Sequence, residues 1–412
     1  MIFEDIIKSE KKFIALIFFF SLAIRLAYVI PLSPQQLSPD AYDYMNTAVK
    51  VSSGLGFGET WRPPGYIGFL AVIFFLFGKS VMLVRIIHSL LGAATCVILF
   101  FTAKKIFSAN VAKISAFLLS FYPYLIAYTG DLLSETFFTF MIAVSVWAIY
   151  VCAEKPTFKN IALTGICFGL TGLTKSTIMP FFLFACAWLW WNTKSFKTGF
   201  LVGIVTLLTL FPWSLRNRIY YKKVVPVSTP WLTFYGSSCD EAMYQESRGG
   251  FDTPQTDEMN APAIPSDWEY VMNLPPAERD KICKQKAFDW ISRNPDKFLW
   301  LMKKRFVHFW RLYPLMAYRW QKRVAMFTSG IYIPLCVFGI FLSLKKFKKT
   351  SLLLGLFILY TAVHLFFVVV LRYRVPIDPY IIIFASYSLY MILDKFIRRS
   401  AIGRLLRMEP GL

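Results

Sequence analysis

The sequence predicts an all-α protein that crosses a membrane many times, and three observations predict it. Hydrophobic residues make up 56% of the 412 residues, and mean hydropathy is +0.51. A soluble domain of that length has no interior large enough for so much apolar surface, so lipid is the solvent for much of it. The apolar residues fall into about ten runs, each near the ~20 residues that the hydrocarbon core of a bilayer requires. Every second loop between these runs is basic, which is the pattern of cytoplasmic loops.

The runs lie at about 13–32, 80–103, 112–130, 133–153, 160–174, 177–193, 198–213, 326–344, 351–371 and 376–394. The first is long for a signal-peptide core, and no small-residue cleavage site follows it, so it reads as an uncleaved anchor. The fifth and sixth are short. They read as two crossings or as one helical hairpin that dips in. Gly65–Phe77 is apolar over only ~13 residues and fits an interfacial or re-entrant helix better than a span.

Loop charges set the orientation. Lys8, Lys11 and Lys12 precede the first run. Lys104 and Lys105, Lys155 and Lys159, Lys194 and Lys197, the lysines at 345, 346, 348 and 349, and finally Lys395, Arg398 and Arg399 follow alternate runs. Both ends are therefore expected in the cytoplasm. Three regions follow. Residues 1–215 form an N-terminal transmembrane module whose first outer loop, 33–79, carries interfacial helices. Residues 216–323 form a small extracytoplasmic segment, in which Pro275–Asp296 has a Pro-Pro helix start and helical spacing, and Phe298–Trp310 suits the membrane interface. Residues 324–412 hold the last spans and a basic cytoplasmic tail.

Composition also excludes. The formal net charge is +21, but no aromatic-and-basic groove motif accompanies it, so nucleic acid is not an expected partner. The seven cysteines contain no CxxC pair, which argues against a zinc or redox centre. Cys239 and Cys283 share the extracytoplasmic segment, as a disulfide or as two free thiols. His88, His308 and His364 share no metal-ligand spacing. Nucleotide-binding and GxSxG motifs are absent, and no internal repeat is visible.

Residues able to do chemistry gather in the outer loops. Asp40 follows Pro39 at a helix start, and Asp43 lies one turn on. Asp40 reads as a helix cap or as a general base; with Asp43 it is also a candidate oxygen pair for a divalent metal. Arg62 precedes Pro63-Pro64, a stiff pair that fixes where its guanidinium points, and guanidinium matches phosphate oxygens bidentately. Glu135 opens the fourth run. Arg216, Arg372 and Arg374 sit at outer ends of runs, against the cytoplasmic bias, and an anionic ligand is the natural reason. Lys175 is a weaker member of that set. Arg25 and Arg85 lie deeper and are expected to pair with buried acids or carbonyls.

In this order, Pro39-Asp40-Ala41-Tyr42, Arg62-Pro63-Pro64-Gly65-Tyr66, Leu133-Ser134-Glu135, Pro212-Trp213-Ser214-Leu215-Arg216-Asn217 and Arg372-Tyr373-Arg374-Val375-Pro376 resemble the GT-C membrane glycosyltransferases. The nearest group is the protein O-mannosyltransferases and lipid A aminoarabinose transferases, glycosyltransferase family 39. The resemblance implies a GT-C bundle and a sugar donor carried on a polyprenyl phosphate, with a lipid, glycan or protein acceptor. It implies an active site facing the extracytoplasmic side of a plasma membrane, the inner membrane in bacteria. It implies Asp40 as base on the acceptor hydroxyl, Arg62 on the lipid phosphate, Glu135 near the donor and no metal requirement. The rival reading is a lipid or solute transporter or flippase. Transporters tend to carry internal repeats and midplane charges, whereas here the polar residues cluster at one edge.

Overall fold

The computed structural model describes residues 9–58, 62–222, 225–248, 265–312 and 319–399. Lys8, parts of the 216–323 segment and the tail beyond Arg399 lie outside the described residues. Among the described residues there are helices and turns and no strands. In chain order the helices are α1 (Glu10–Val29), α2 (Pro39–Ser52), α3 (Pro64–Phe77), α4 (Val81–Ile106), α5 (Ala109–Ser120), α6 (Pro123–Ala127), α7 (Ser134–Glu154), α8 (Phe158–Thr174), α9 (Met179–Thr193) and α10 (Phe196–Tyr221). Then come α11 (Trp231–Gly236), α12 (Asp240–Ser247), α13 (Trp268–Met272), α14 (Pro276–Arg293), α15 (Pro295–Phe309), α16 (Arg319–Phe327), α17 (Ser329–Leu342), α18 (Phe347–Leu365), α19 (Leu371–Arg374) and α20 (Asp378–Arg399).

Six helical stretches are long and apolar enough to cross a membrane, or seven if the bent pair α5–α6 is one span. That is fewer than the ten runs read from sequence, although each of those runs is helical. Helices α8 and α9 have 17 and 15 residues, and at about 1.5 Å per residue they fall short of a ~30 Å hydrocarbon core. Helix α18 has 19 residues but carries Lys348, Lys349 and His364. The α5–α6 bend is 52°, and Pro123 at the first position of α6 causes it, because proline cannot continue a helix from behind. The seventh run extends past 213, as α10 continues to Tyr221 with Pro212 inside it.

Burial separates the bundle's axis from its lipid face. The apolar windows of α7 and of the last span are 67% and 78% buried, against 28% for α1 and α10. Phe19, Leu183, Leu207 and Phe341 point outward, where hydrocarbon replaces water as their neighbour. Helices α8 and α10 approach closely at Gly165 and Gly169. A Cβ at Gly169 would lie 2.4 Å from Thr209 Cβ, and one at Gly165 would lie 2.6 Å from Val205 Cβ, so only glycine permits this packing.

The charges sort to two ends. Glu10 meets Lys104, Lys105 meets Glu154, and Lys349 donates to the Lys105 carbonyl. Helix α7 runs from that end to Glu135 at the other. Arg25 and Arg85 satisfy the expected carbonyl pairing. Arg25 donates to the Ser21 and Ser120 carbonyls. Arg85 donates to the carbonyls of Gly130, Leu32, Ser33 and Gln36, so one guanidinium ties the first long loop to the turn before α7. Cys239 and Cys283 are buried free thiols, and burial first of all pushes them up, to about 12 and about 11.

Candidate functional site

Local sequence decides where each charged side chain departs. Pro39 occupies the first position of α2, where its missing N–H is no loss. Asp40 therefore stands in the first turn, with Asp43 and Tyr44 three and four residues on along the same face. Asp40 does not serve as a cap. Its Oδ1 lies 2.8 Å from Arg62 Nη2 and its Oδ2 lies 2.6 Å from Arg372 Nη2.

Arg62 reaches this face from just before α3. Its Nε lies 2.5 Å from Asp43 Oδ2, and its guanidinium carbon sits 4.4 Å over the Tyr44 ring. Arg372, in α19, extends a second contact from Nε to Glu135 Oε1 at 3.8 Å. Lys175 is the residue between α8 and the 3-10 turn Ser176–Ile178. Its Nζ lies 2.8 Å from the same Glu135 oxygen. Glu135 Oε2 is buried without a hydrogen-bond donor among the described residues. Three cations (Arg62, Lys175, Arg372) thus balance three carboxylates (Asp40, Asp43, Glu135).

Burial alone would raise the Asp40 carboxyl. The charges of Arg372 and Arg62 outweigh it and hold Asp40 below the ordinary carboxylate range. Burial works against the Arg62 charge, but Tyr44, Asp40 and Asp43 outweigh it and raise Arg62. Asp40 and Arg62 therefore both stay charged at neutral pH.

Asp40, Arg62, Glu135, Lys175 and Arg372 line one cavity of about 340 Å³. Tyr44, Tyr373 and His364 share its wall, as do the hydroxyl residues Ser176, Thr177, Ser228, Thr229 and Thr233. A second cavity of about 330 Å³ adjoins it, sharing Pro180, Pro230, Val363 and Phe367, and is lined only by apolar residues, Trp231, Phe234 and Phe288 among them. A charged chamber therefore opens beside an apolar one.

Other sequence candidates are elsewhere. Arg374 is fully buried, bound to Asp378 at 3.1 Å and to the Phe309 and Arg311 carbonyls, so it braces α19 and does not face the cavity. Arg216 donates to the Gly58 carbonyl and lies over Trp213 and Tyr220. Asp43 stays behind Arg62, outside the cavity wall. For a metal, Asp40 and Asp43 do not present a joint site as they stand, since Arg62 spans the two carboxylates. Among the described residues no group of three or more His, Cys, Asp or Glu is gathered to hold an ion.

Sequence reasoning missed His364, Tyr44 and Tyr373. His364 Nδ1 donates to the Tyr360 carbonyl at 2.7 Å. The signal is an ionisable residue within an apolar run, which metal-ligand spacing does not bring out. Tyr44 stands one turn from Asp40, within reach of any group that Asp40 binds.

Residues 61–215 match the family model described as dolichyl-phosphate-mannose-protein mannosyltransferase. Among solved structures the chain is similar to the oligosaccharyltransferase AglB of Archaeoglobus fulgidus. The apo form gives a TM-score of 0.60 at 14% identity, covering 97% of this chain and 52% of that one. The form in complex with an inhibitory peptide and a dolichol-phosphate gives 0.58 with the same identity and coverage. ArnT from Cupriavidus metallidurans, bound to undecaprenyl phosphate, aligns at a TM-score of 0.41 and 11% identity over 92% of this chain and 78% of that one. No curated protein matches. The chain thus shares its fold with AglB and spans about half the length of that protein.

Proposed function

We propose that this integral membrane protein transfers a sugar from a polyprenyl-phosphate carrier to an acceptor on the extracytoplasmic side of the membrane, the inner membrane in a bacterium. One observation carries the reading: Arg62, Lys175 and Arg372 converge with Asp40 in a single chamber that opens onto an apolar one. A lipid-linked phosphate has this dual chemistry, an anionic head on a hydrocarbon tail. The match to the mannosyltransferase model over residues 61–215 agrees with it.

In this reaction an acceptor hydroxyl or amine attacks C1 of the sugar. The C1–O bond to phosphate breaks, and its electron pair leaves with the phosphate. Asp40 takes the proton of the nucleophile. The negative charge that Asp40 loses reappears on the departing phosphate, so the charge of the chamber is unchanged. Arg62 and Arg372, already aimed and partly desolvated, stabilise that phosphate as preorganised donors. Lys175 adds charge beside Arg372, and Glu135 Oε1, which both approach, holds them in place. The hydroxyl residues that also line the chamber suit a sugar ring. The acceptor is a glycolipid, an envelope glycan or a protein, selected by the 216–323 segment.

Purified protein given polyprenyl-phospho-sugars and candidate acceptors should release free polyprenyl phosphate. Movement of intact donor across a vesicle, with no cleavage by any acceptor, would overturn the transferase in favour of a transporter.

A further inference from the structure

The acceptor base and the donor phosphate have the same partners. Both oxygens of Asp40 are taken, one by Arg62 and one by Arg372. In that state each oxygen of Asp40 already accepts from a guanidinium, which weakens Asp40 as a base, and neither guanidinium is fully open to phosphate. Each arginine also has a second carboxylate. Arg62 keeps Asp43 at 2.5 Å through Nε, leaving Nη2 on Asp40. Arg372 keeps Glu135 within 3.8 Å through Nε, again with Nη2 on Asp40. The arrangement is similar twice, with Nη2 on Asp40 and Nε toward a rear carboxylate, hydrogen-bonded in Arg62 and at ion-pair distance in Arg372.

We propose that the donor phosphate displaces Asp40 from Arg62 and Arg372, that Asp43 and Glu135 hold the two guanidinium groups in place during the exchange, and that the acceptor is therefore deprotonated only after the donor has bound. This rests on the reading of the chamber as a lipid-phosphate site. Asp43 and Glu135 become positioning residues, neither touching the reacting atoms. The exchange fits the charges. Phosphate can take a guanidinium bidentately, as a carboxylate can, and an Asp40 stripped of two cations is the better base.

The test uses undecaprenyl monophosphate as the probe and full-length protein in nanodiscs. Binding is measured for the parent protein and for Asp40→Asn and Asp43→Asn. If Asp40 competes with phosphate, Asp40→Asn binds the probe on the order of tenfold more tightly, because the guanidinium groups are already released. Asp43→Asn loses the rear anchor of Arg62 and does not gain as much. Equal or weaker binding by a folded Asp40→Asn overturns the exchange. Absence of binding by the parent protein overturns the lipid-phosphate reading instead. A structure of the parent protein with the probe gives an independent check. Asp40 should stand clear of both arginines, with the Arg62–Asp43 contact kept; retention of both Asp40 ion pairs beside bound phosphate overturns the proposal.

Discussion

Arg372 Nη2 lies 2.6 Å from Asp40 Oδ2, joining the first turn of α2 to the start of the last span. This contact closes the chamber between opposite ends of the chain. It also makes the protonation of Asp40 depend on what Arg372 is doing.

Replacing Asp40 by Asn should lower sugar transfer by about 10²–10⁴-fold, the range for a positioned base, with the protein still folded. Turnover with saturating donor and acceptor checks this. An inserted, folded Asp40→Asn protein with full turnover removes Asp40 from the reaction.

Arg62→Lys keeps the charge but loses the fork that spans Asp40 and Asp43. Turnover should fall by roughly 10²-fold, the scale for losing one preorganised donor to a developing anion. Steady-state kinetics for the lysine variant against the parent settles it, and unchanged kcat places Arg62 outside the transition state.

The pH profile has a definite sign. The arginines hold free-enzyme Asp40 below 3.8, so its ion pairs are complete above that value and are lost only as pH falls through the lowered one. The acid limb of kcat/KM, which reports free enzyme, should therefore lie lower than the acid limb of kcat, which reports the complex in which phosphate holds the arginines. Coincident limbs would count against the exchange.

Gly169→Ala brings a Cβ to 2.4 Å from Thr209 Cβ. Overpacking of this kind costs about 1–3 kcal/mol. A lowered thermal midpoint of the detergent-solubilised protein is the readout. A midpoint equal to the parent's means that α8 and α10 part at no cost.

Arg85→Met removes three carbonyl contacts from the loop that carries Asp40 and one from the turn at Gly130. The expected result is faster proteolysis in residues 33–58 and reduced transfer, with no charge altered in the chamber. Protection equal to the parent's assigns the loop's placement to other contacts.

Much of this was legible in the sequence because it depends on local rules. Pro39 before Asp40 and Pro63-Pro64 after Arg62 fix chain direction within a few residues. Alternating basic loops sorted the charges by side, and the opposed clusters at Lys104 and at Arg372 agree. What sequence did not yield depends on distance across the fold. Arg372 and Arg374 are two residues apart, yet a helical turn sends one to the chamber and the other to Asp378. Nothing in the local pattern distinguishes them. Arg216 was drawn to a carbonyl by the same circumstance. The number of crossings is not fixed by apolar composition, which does not report where proline or a short helix interrupts a run.

The tip formed by α8 and α9 has a consequence for the depth of the chemistry. Both helices are shorter than a full crossing, and Lys175 sits where they meet. Each added residue would shift that tip by about 1.5 Å and swing it through roughly a quarter turn. The hairpin therefore works as a ruler cut to one length: a single residue added to α8 or removed from it would carry the ammonium off its carboxylate.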